Sequence, residues 1–263
     1  EKDSVAARWL RAVAEVELFT SDDETKLQIA FFTRKKQAGF DVLCERIREL
    51  VPELTGAGVS SLANAATQRQ AQNPRLLESW GVDGLIYRTA GEGYWVSRSG
   101  FFQVNRFLID ELVRIAAAER KGLLAWDLYA GVGLFSQVLA RSFQKVVAVE
   151  ADASDLSQPF RGPGKHAVRA TTVEFLRGAV VQRERPQLIV MDPPRAGVGA
   201  EVCALLVKLA APEIVYVSCD PVTLARDLKA LVAAGYAIAE LHMVDMFPQT
   251  FHLETVVVLR MGS

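Results

Sequence analysis

Cys219 is the residue in this sequence best placed to form a covalent bond. It closes the apolar run EIVYVSC from Glu213, and Asp220, Pro221 and a helical pattern beginning near Val222 follow it. A cysteine at a strand end, with a helix N-terminus turned toward it and cations nearby, is expected to have a lowered pKa and a raised thiolate fraction. Cys44 and Cys203 fall inside amphipathic helical patterns and read as packing residues. Glu254, in His252-Leu-Glu-Thr255, opens the last strand-like run, ETVVVL, where a carboxylate is disfavoured unless it has a task. A thiolate that adds to an electron-poor ring carbon pushes electron density onto the neighbouring carbon. That carbon can then attack an electrophile, and a base must afterwards remove its proton. Cys219 as nucleophile and Glu254 as base are the candidates for the two roles.

A second constellation suits a nucleotide-like cofactor. Asp127-Leu-Tyr-Ala-Gly-Val-Gly-Leu-Phe135 sits where a strand gives way to a helix, and Gly131 and Gly133 allow close backbone approach to a ligand. Glu150 ends the next strand, about 20 residues on, where an acidic side chain can grip the ribose hydroxyls of an adenosine. Ser136 stands where a dinucleotide fingerprint needs its third glycine, which disfavours a nicotinamide cofactor. Asp192-Pro-Pro-Arg-Ala-Gly ends a further strand beside the expected switch point of the sheet, where ligands lie.

These residues need a scaffold that brings strand ends together. From Leu123 onward, strand patterns at 123–129, 145–150, 166–170, 187–192 and 213–219 alternate with helical patterns, the α/β signature with a parallel sheet. Two extended runs, 236–247 and 253–260, separated by PQTFH, suit an antiparallel pair. Before Leu123 the text predicts a hairpin from VAEVELFT and KLQIAFFT, a helix over FDVLCERIRELV and a small, polar stretch from Thr55 to Arg75. Strand-like text then returns around the Gly91 and Gly93 turn. The expected organisation is an α+β subdomain over 1–95 and a larger domain over 96–263, whose first helix is VNRFLIDELVRIAAAE. There is no internal repeat or low-complexity tract.

Composition narrows the classes. Half of the 263 residues are apolar and 23% are charged, as in a globular protein with one large core. No apolar run reaches the roughly 18 residues of a membrane helix, and EKDSVAARWL lacks a signal peptide's apolar stretch, so a cytoplasmic protein is expected. Three dispersed cysteines and three histidines favour neither a disulfide framework nor a metal centre. The net charge of −1 is not that of a strongly basic nucleic-acid binder. Arg34, Lys35, Lys36, Arg88, Arg98 and Arg106 can still supply a local basic patch or an ordinary solvated face. The chain opens on Glu1, not Met, as an excised fragment would.

In order along the chain come Phe102-Gln-Val-Asn105, the Asp127–Phe135 loop, Asp192-Pro-Pro-Arg195, Ser218-Cys-Asp-Pro221 with Thr223-Leu-Ala-Arg-Asp227, and Asp245-Met-Phe-Pro248 with His252-Leu-Glu254. Together they resemble the RNA 5-methyluridine methyltransferases over about Gly100 to Leu259. The resemblance implies a seven-stranded, Rossmann-like methyltransferase sheet, mostly parallel with the last strand antiparallel. It implies methyl transfer from S-adenosyl-L-methionine to carbon 5 of a uridine in ribosomal or transfer RNA, through a covalent bond from Cys219 to carbon 6. Glu254 would accept the proton. Gln103, Tyr129, Gly131, Gly133, Glu150 and Asp192 would contact the cofactor, and Arg195 and Asp192 would orient the substrate. A monomer without metal is expected. Departures include Asp220 in place of the more usual Asn, Thr171 and Thr172 at the third strand's end, and the absence of an OB-type domain and a four-cysteine cluster. A methyltransferase-fold RNA-binding protein with weakened or lost catalysis is the alternative, and a cytosine or small-molecule target is a third reading.

Overall fold

The computed structural model describes residues 4–62, 74–98, 100–156 and 159–262. The chain divides into two compact units, one of residues 1–88 with 95–100 and the other of residues 89–94 with 101–263.

In the first unit, α1 (Ser4–Ala12) leads into β1 (Val13–Thr20), β2 (Leu27–Thr33), α2 (Phe40–Leu50), β3 (Leu54–Ser61) and β4 (Arg75–Gly81). The strands form a sheet in the order β1-β2-β3-β4. The predicted hairpin is β1–β2, and α2 is the crossover to β3, which runs parallel to β2. Trp9, Phe31, Phe40, Cys44 and Val59 fill the core of this unit.

β3 begins the stretch read from sequence as small and polar. Its small residues are required by packing: a Cβ on Gly58 would fall 2.5 Å from the Arg98 guanidinium, and one on Gly56 would fall 2.1 Å from the Val82 carbonyl. The rest of that stretch, 63–73, lies outside the described residues. Arg98 itself is no part of a surface patch. Its side chain is only 7% exposed and donates to the Val82 carbonyl and to Asp83. Lys36 is taken by Glu78 at 3.0 Å. These pairings remove two of the six cations considered for a basic patch.

The hairpin β5 (Gly84–Thr89) and β6 (Glu92–Ser97) contributes its tip to the second unit. There Thr89 donates to Asp110, and Arg141 bonds Glu92. The helix predicted over 104–119 is shorter, α3 (Ile109–Ala116). Residues 101–108 are held as a loop instead: Asn105 Nδ2 donates to the Asp245 carbonyl and its Oδ1 accepts from Phe107 N.

The main sheet follows: β7 (Gly122–Leu128), α4 (Leu134–Leu139), β8 (Phe143–Glu150), β9 (Lys165–Arg169), α5 (Thr172–Gln182), β10 (Leu188–Met191), α6 (Gly199–Leu209), β11 (Glu213–Ser218), α7 (Pro221–Ala233), β12 (Tyr236–Val244) and β13 (Glu254–Met261). Seven strands take the order β12-β13-β11-β10-β7-β8-β9. β7 to β11 pair in parallel, and β13 runs antiparallel to both β11 and β12. This is the sheet expected from the strand pattern and from the resemblance. Val, Ile and Leu runs suit it because its central strands are covered on both faces. Trp126, Met191, Ile214, Tyr216 and Val257 pack on one face against Leu176 of α5, Val202 and Leu206 of α6 and Leu231 of α7. Each such side chain contributes about 1.5–3 kcal/mol by leaving water.

Strand order reverses between β7 and β10, which opens a crevice at the carboxyl edge of the sheet. Among the described residues no helix is long and apolar enough to cross a membrane, and no group of three or more His, Cys, Asp or Glu could hold a metal ion.

Candidate active site

The register of the central strands sets the site. Leu128 is level with Met191 of β10 and with Val149 of β8. The next residues along, Tyr129, Asp192 and Glu150, therefore leave the sheet at one level. Across the β11–β13 pair, Ser218 faces Thr255, so Cys219 and Glu254 continue the same antiparallel register.

The glycine loop turns through left-handed backbone: φ is +62° at Tyr129, +54° at Gly131 and +88° at Gly133. The two glycines serve different ends. A Cβ on Gly133 would lie 2.8 Å from Leu156, whereas one on Gly131 would meet nothing within 4 Å, which leaves open space over Gly131 for a ligand. Gly131 N donates to Glu150 Oε2 at 2.9 Å, and Asp152 N donates to Oε1 at 3.2 Å, so both oxygens of Glu150 are fixed beside the loop. Burial raises the pKa of Tyr129, opposed by Thr172 at the start of α5. Gln103 is buried and its Nε2 donates to Asp192 Oδ2 at 3.3 Å.

Three carboxyl groups on the strands of this sheet or at their ends are held toward their neutral forms. Asp127, fully buried in β7, is pushed up to about 7 by burial, partly offset by its bond from Ser136 Oγ. Burial, then Glu254 and Asp127, push Asp192 well above the carboxylate range. Glu254, 3% exposed, is pushed up to about 7 by burial alone. Asp127 Oδ1 and Glu254 Oε1 are buried without a hydrogen-bond partner among the described residues. Such atoms mark a place where a donor or a cation is missing. A ligand bearing a sulfonium and an ammonium group fits this set, because its charges would favour the ionised carboxylates.

Cys219 is half-buried, hence reachable, while Cys44 and Cys203 are buried, as packing residues should be. Its thiol is not acidified as the sequence suggests. Burial and the charges of Glu254 and Asp192 raise its pKa, opposed by the hydrogen bond and positive charge of Arg195. The helix that follows does not offset this. Asp220 caps α7, accepting Val222 N at 3.0 Å and Thr223 N at 2.9 Å, so the helix's free N–H groups are directed to that carboxylate and not to sulfur. Asp220, a departure from the family's usual Asn, thus has a capping role, and Thr171 likewise caps α5 in a capping box with Glu174.

Asp127 was not singled out from the sequence as a site residue, though the signal was there: a carboxylate inside the apolar run LLAWDLY needs a reason to be buried. A cavity of about 260 Å³ lies elsewhere. Its charges Arg120, Glu213, Glu240 and Arg260 are bonded to one another.

The raised carboxyl groups have a measurable consequence. A folded-state pKa above the unfolded one means that the native protein holds extra protons between the two values, so stability falls as pH rises through that window. For Glu254 the window runs from 4.5 to about 7. Glu254→Gln is expected to remove its share of the fall, about 2–3 kcal/mol, with Asp127 and Asp192 supplying the remainder. Urea melts at pH 5 and pH 8 check this, and an unchanged pH dependence in the variant would refute it.

Residues 166–261 match the profile of the tRNA (Uracil-5-)-methyltransferase family. An uncharacterized RNA methyltransferase of Clostridium tetani is 33% identical over 213 residues, which cover 77% of this chain and 46% of the relative. One from Thermotoga maritima is 37% identical over 194 residues, covering 70% and 43%. The chain thus spans about half the length of these relatives. The crystal structure of the Pyrococcus abyssi tRNA (uracil-54, C5)-methyltransferase in complex with S-adenosyl-L-homocysteine superposes with a TM-score of 0.71 at 25% identity, over 92% of this chain and 58% of that one. Over residues 166–261 the chain is thus similar to the tRNA (uracil-5-)-methyltransferase family, and over about half of their length to these RNA methyltransferases.

Proposed function

We propose that this protein transfers a methyl group from S-adenosyl-L-methionine to carbon 5 of a uridine in structured RNA, ribosomal or transfer RNA, with Cys219 as nucleophile and Glu254 as base. The observation that carries the reading is the pairing of a reachable thiol with a buried, unpartnered carboxyl of pKa about 7 at the carboxyl edge of the sheet. When bound, the cofactor supplies an electrophilic methyl group.

Uracil's carbon 5 is a weak nucleophile. The Cys219 thiolate forms a bond to carbon 6, and the ring's C5–C6 π electrons move toward carbon 4 to give an enolate whose carbon 5 takes the methyl group. Glu254 then removes the carbon 5 proton, the C5–C6 double bond re-forms, and the C6–S bond breaks to release the thiolate. A base with a pKa near 7 is matched to that proton transfer at neutral pH. Arg195, whose positive charge opposes the rise of the Cys219 pKa, favours the thiolate and would stand where the substrate is held. Glu150, Asp192, Gln103, Tyr129, Gly131 and Gly133 would hold the cofactor. The rings of Phe101, Phe107 and Phe251 are 70%, 85% and 91% exposed and offer faces on which unpaired bases can stack.

Labelled cofactor with ribosomal and transfer RNA, followed by digestion to nucleosides, tests the proposal. The expected product is 5-methyluridine, and label in another nucleoside or in none would overturn it. On the same reading, Glu150→Ala should weaken cofactor binding by about 10- to 100-fold, the worth of hydrogen bonds to a charged group. Calorimetry reads this directly, and unchanged affinity would remove Glu150 from the site.

A further inference from the structure

Asp227 is a carboxylate in the body of α7, 2% exposed, with no part in the chemistry above. Burying a charge is costly unless several donors compensate for it. Here the donors come from the loop after Asp192-Pro193-Pro194, from β11 and from α7 itself. Oδ2 accepts Val198 N and Tyr216 Oη, each at 2.8 Å, and Oδ1 accepts Arg226 Nε at 2.9 Å. Arg226 Nη2 in turn donates to the Ala196 carbonyl at 2.8 Å, and Thr223 Oγ1 donates to the Arg195 carbonyl at 2.9 Å. The turn is closed by Gly197 N on the Pro194 carbonyl at 2.8 Å. Gly197 has φ +71°, and a Cβ there would lie 2.4 Å from Asp227 Oδ2 and 2.7 Å from Arg226 Nη2, so the glycine is demanded by the carboxylate packed against it.

The same helix, through its cap Asp220, anchors the residue following Cys219. One rigid element therefore fixes both the backbone of Arg195 and the backbone beside the thiol on which the Arg195 positive charge acts.

We infer that Thr223, Arg226 and Asp227 are positioning residues: they latch the Pro194–Gly199 turn onto α7 so that the Arg195 guanidinium is held against Cys219. The inference rests on the catalytic reading above. Asp227→Asn keeps one oxygen for Tyr216 and Val198 but turns an amide toward Arg226, which frees the guanidinium from the turn. Thr223→Val cuts the exposed tie to Arg195, and Gly197→Ala pushes the turn off the helix.

Two measurements on the full chain decide it. The first is the pH profile of Cys219 alkylation by iodoacetamide, read on its peptide by mass spectrometry. Glu254, Asp192 and Arg195 are the charged groups acting on this thiol. Losing the guanidinium's help should move the profile to higher pH in Asp227→Asn, as in Arg195→Ala, and the double variant should move little further. The second is steady-state methyl transfer, in which Asp227→Asn should lose about 10²-fold in kcat and Thr223→Val about tenfold. A lowered Tm with unchanged alkylation and unchanged kcat per folded molecule would make the network merely structural and overturn the latch. If Asp227→Asn does not fold, Thr223→Val and Gly197→Ala carry the same two readouts. Alkylation needs no methyl transfer, so an inactive wild-type protein would sink the catalytic reading while the latch is still decided.

Discussion

Replacing Cys219 with alanine should abolish methyl transfer, leaving less than about 10⁻⁴ of the rate, the scale on which loss of a nucleophile registers. The effect is large because, of the three cysteines, Cys219 is the one whose thiol is not buried. The other two cysteines are buried, with thiols pushed up to about 12 and about 11, and cannot substitute. Cys219→Ser should be nearly as inactive, since a hydroxyl beside Glu254 and Asp192 is far harder to ionise than a thiol. The check is single-turnover transfer of labelled methyl together with adduct formation on RNA containing 5-fluorouridine. The wild-type protein should form a stable adduct whose peptide maps to Cys219, because fluorine at carbon 5 cannot be removed as a proton. Substantial turnover by Cys219→Ala, or an adduct elsewhere, would refute the nucleophile. Cofactor affinity should be nearly unchanged in the variant, which separates lost chemistry from lost binding.

The sheet was legible in the sequence because its strands are mostly continuous apolar runs alternating with helical patterns, and both signals are local. The candidate pair stands out in the sequence for a related reason: a cysteine ending EIVYVSC and a glutamate opening ETVVVL break the apolar pattern at strand ends, which the β11–β13 register brings together. What was not legible depends on partners distant in sequence. β3 reads as the start of a small, polar stretch because Gly56 and Gly58 lower its strand propensity, and the Arg98 side chain and the Val82 carbonyl packed over them show why glycine is needed. Residues 104–108 carry a helical pattern, yet Asn105 is committed to Asp245, a residue 140 positions away. The acidity of Cys219 was misjudged in the same way. The helix N-terminus is indeed adjacent, but Asp220 takes its N–H groups, and the carboxyl groups that oppose ionisation arrive from β10 and β13.

Glu254→Gln is expected to separate the two halves of the reaction. Glutamine has nearly the same shape and can accept a hydrogen bond, but it cannot take a proton from carbon 5. The thiol addition and methyl transfer should survive, and elimination should stall. A methylated, covalent protein–RNA species should therefore accumulate to near one equivalent on natural uridine RNA, visible as a retarded band that carries label. Steady-state kcat should fall by about 10²–10⁴-fold, the usual worth of a positioned base. In the wild-type protein the base is active only when ionised, so kcat/KM should climb with pH through about 7, the value to which burial raises Glu254, and the raised Cys219 thiol should extend the climb further. In Glu254→Gln the limb near 7 should vanish while the thiol's limb remains in adduct formation. A variant that forms no adduct but binds cofactor normally would place Glu254 before the addition step, as the acceptor of the thiol proton. Full activity in the variant would exclude it from proton transfer and leave its burial at the strand end without a chemical reason.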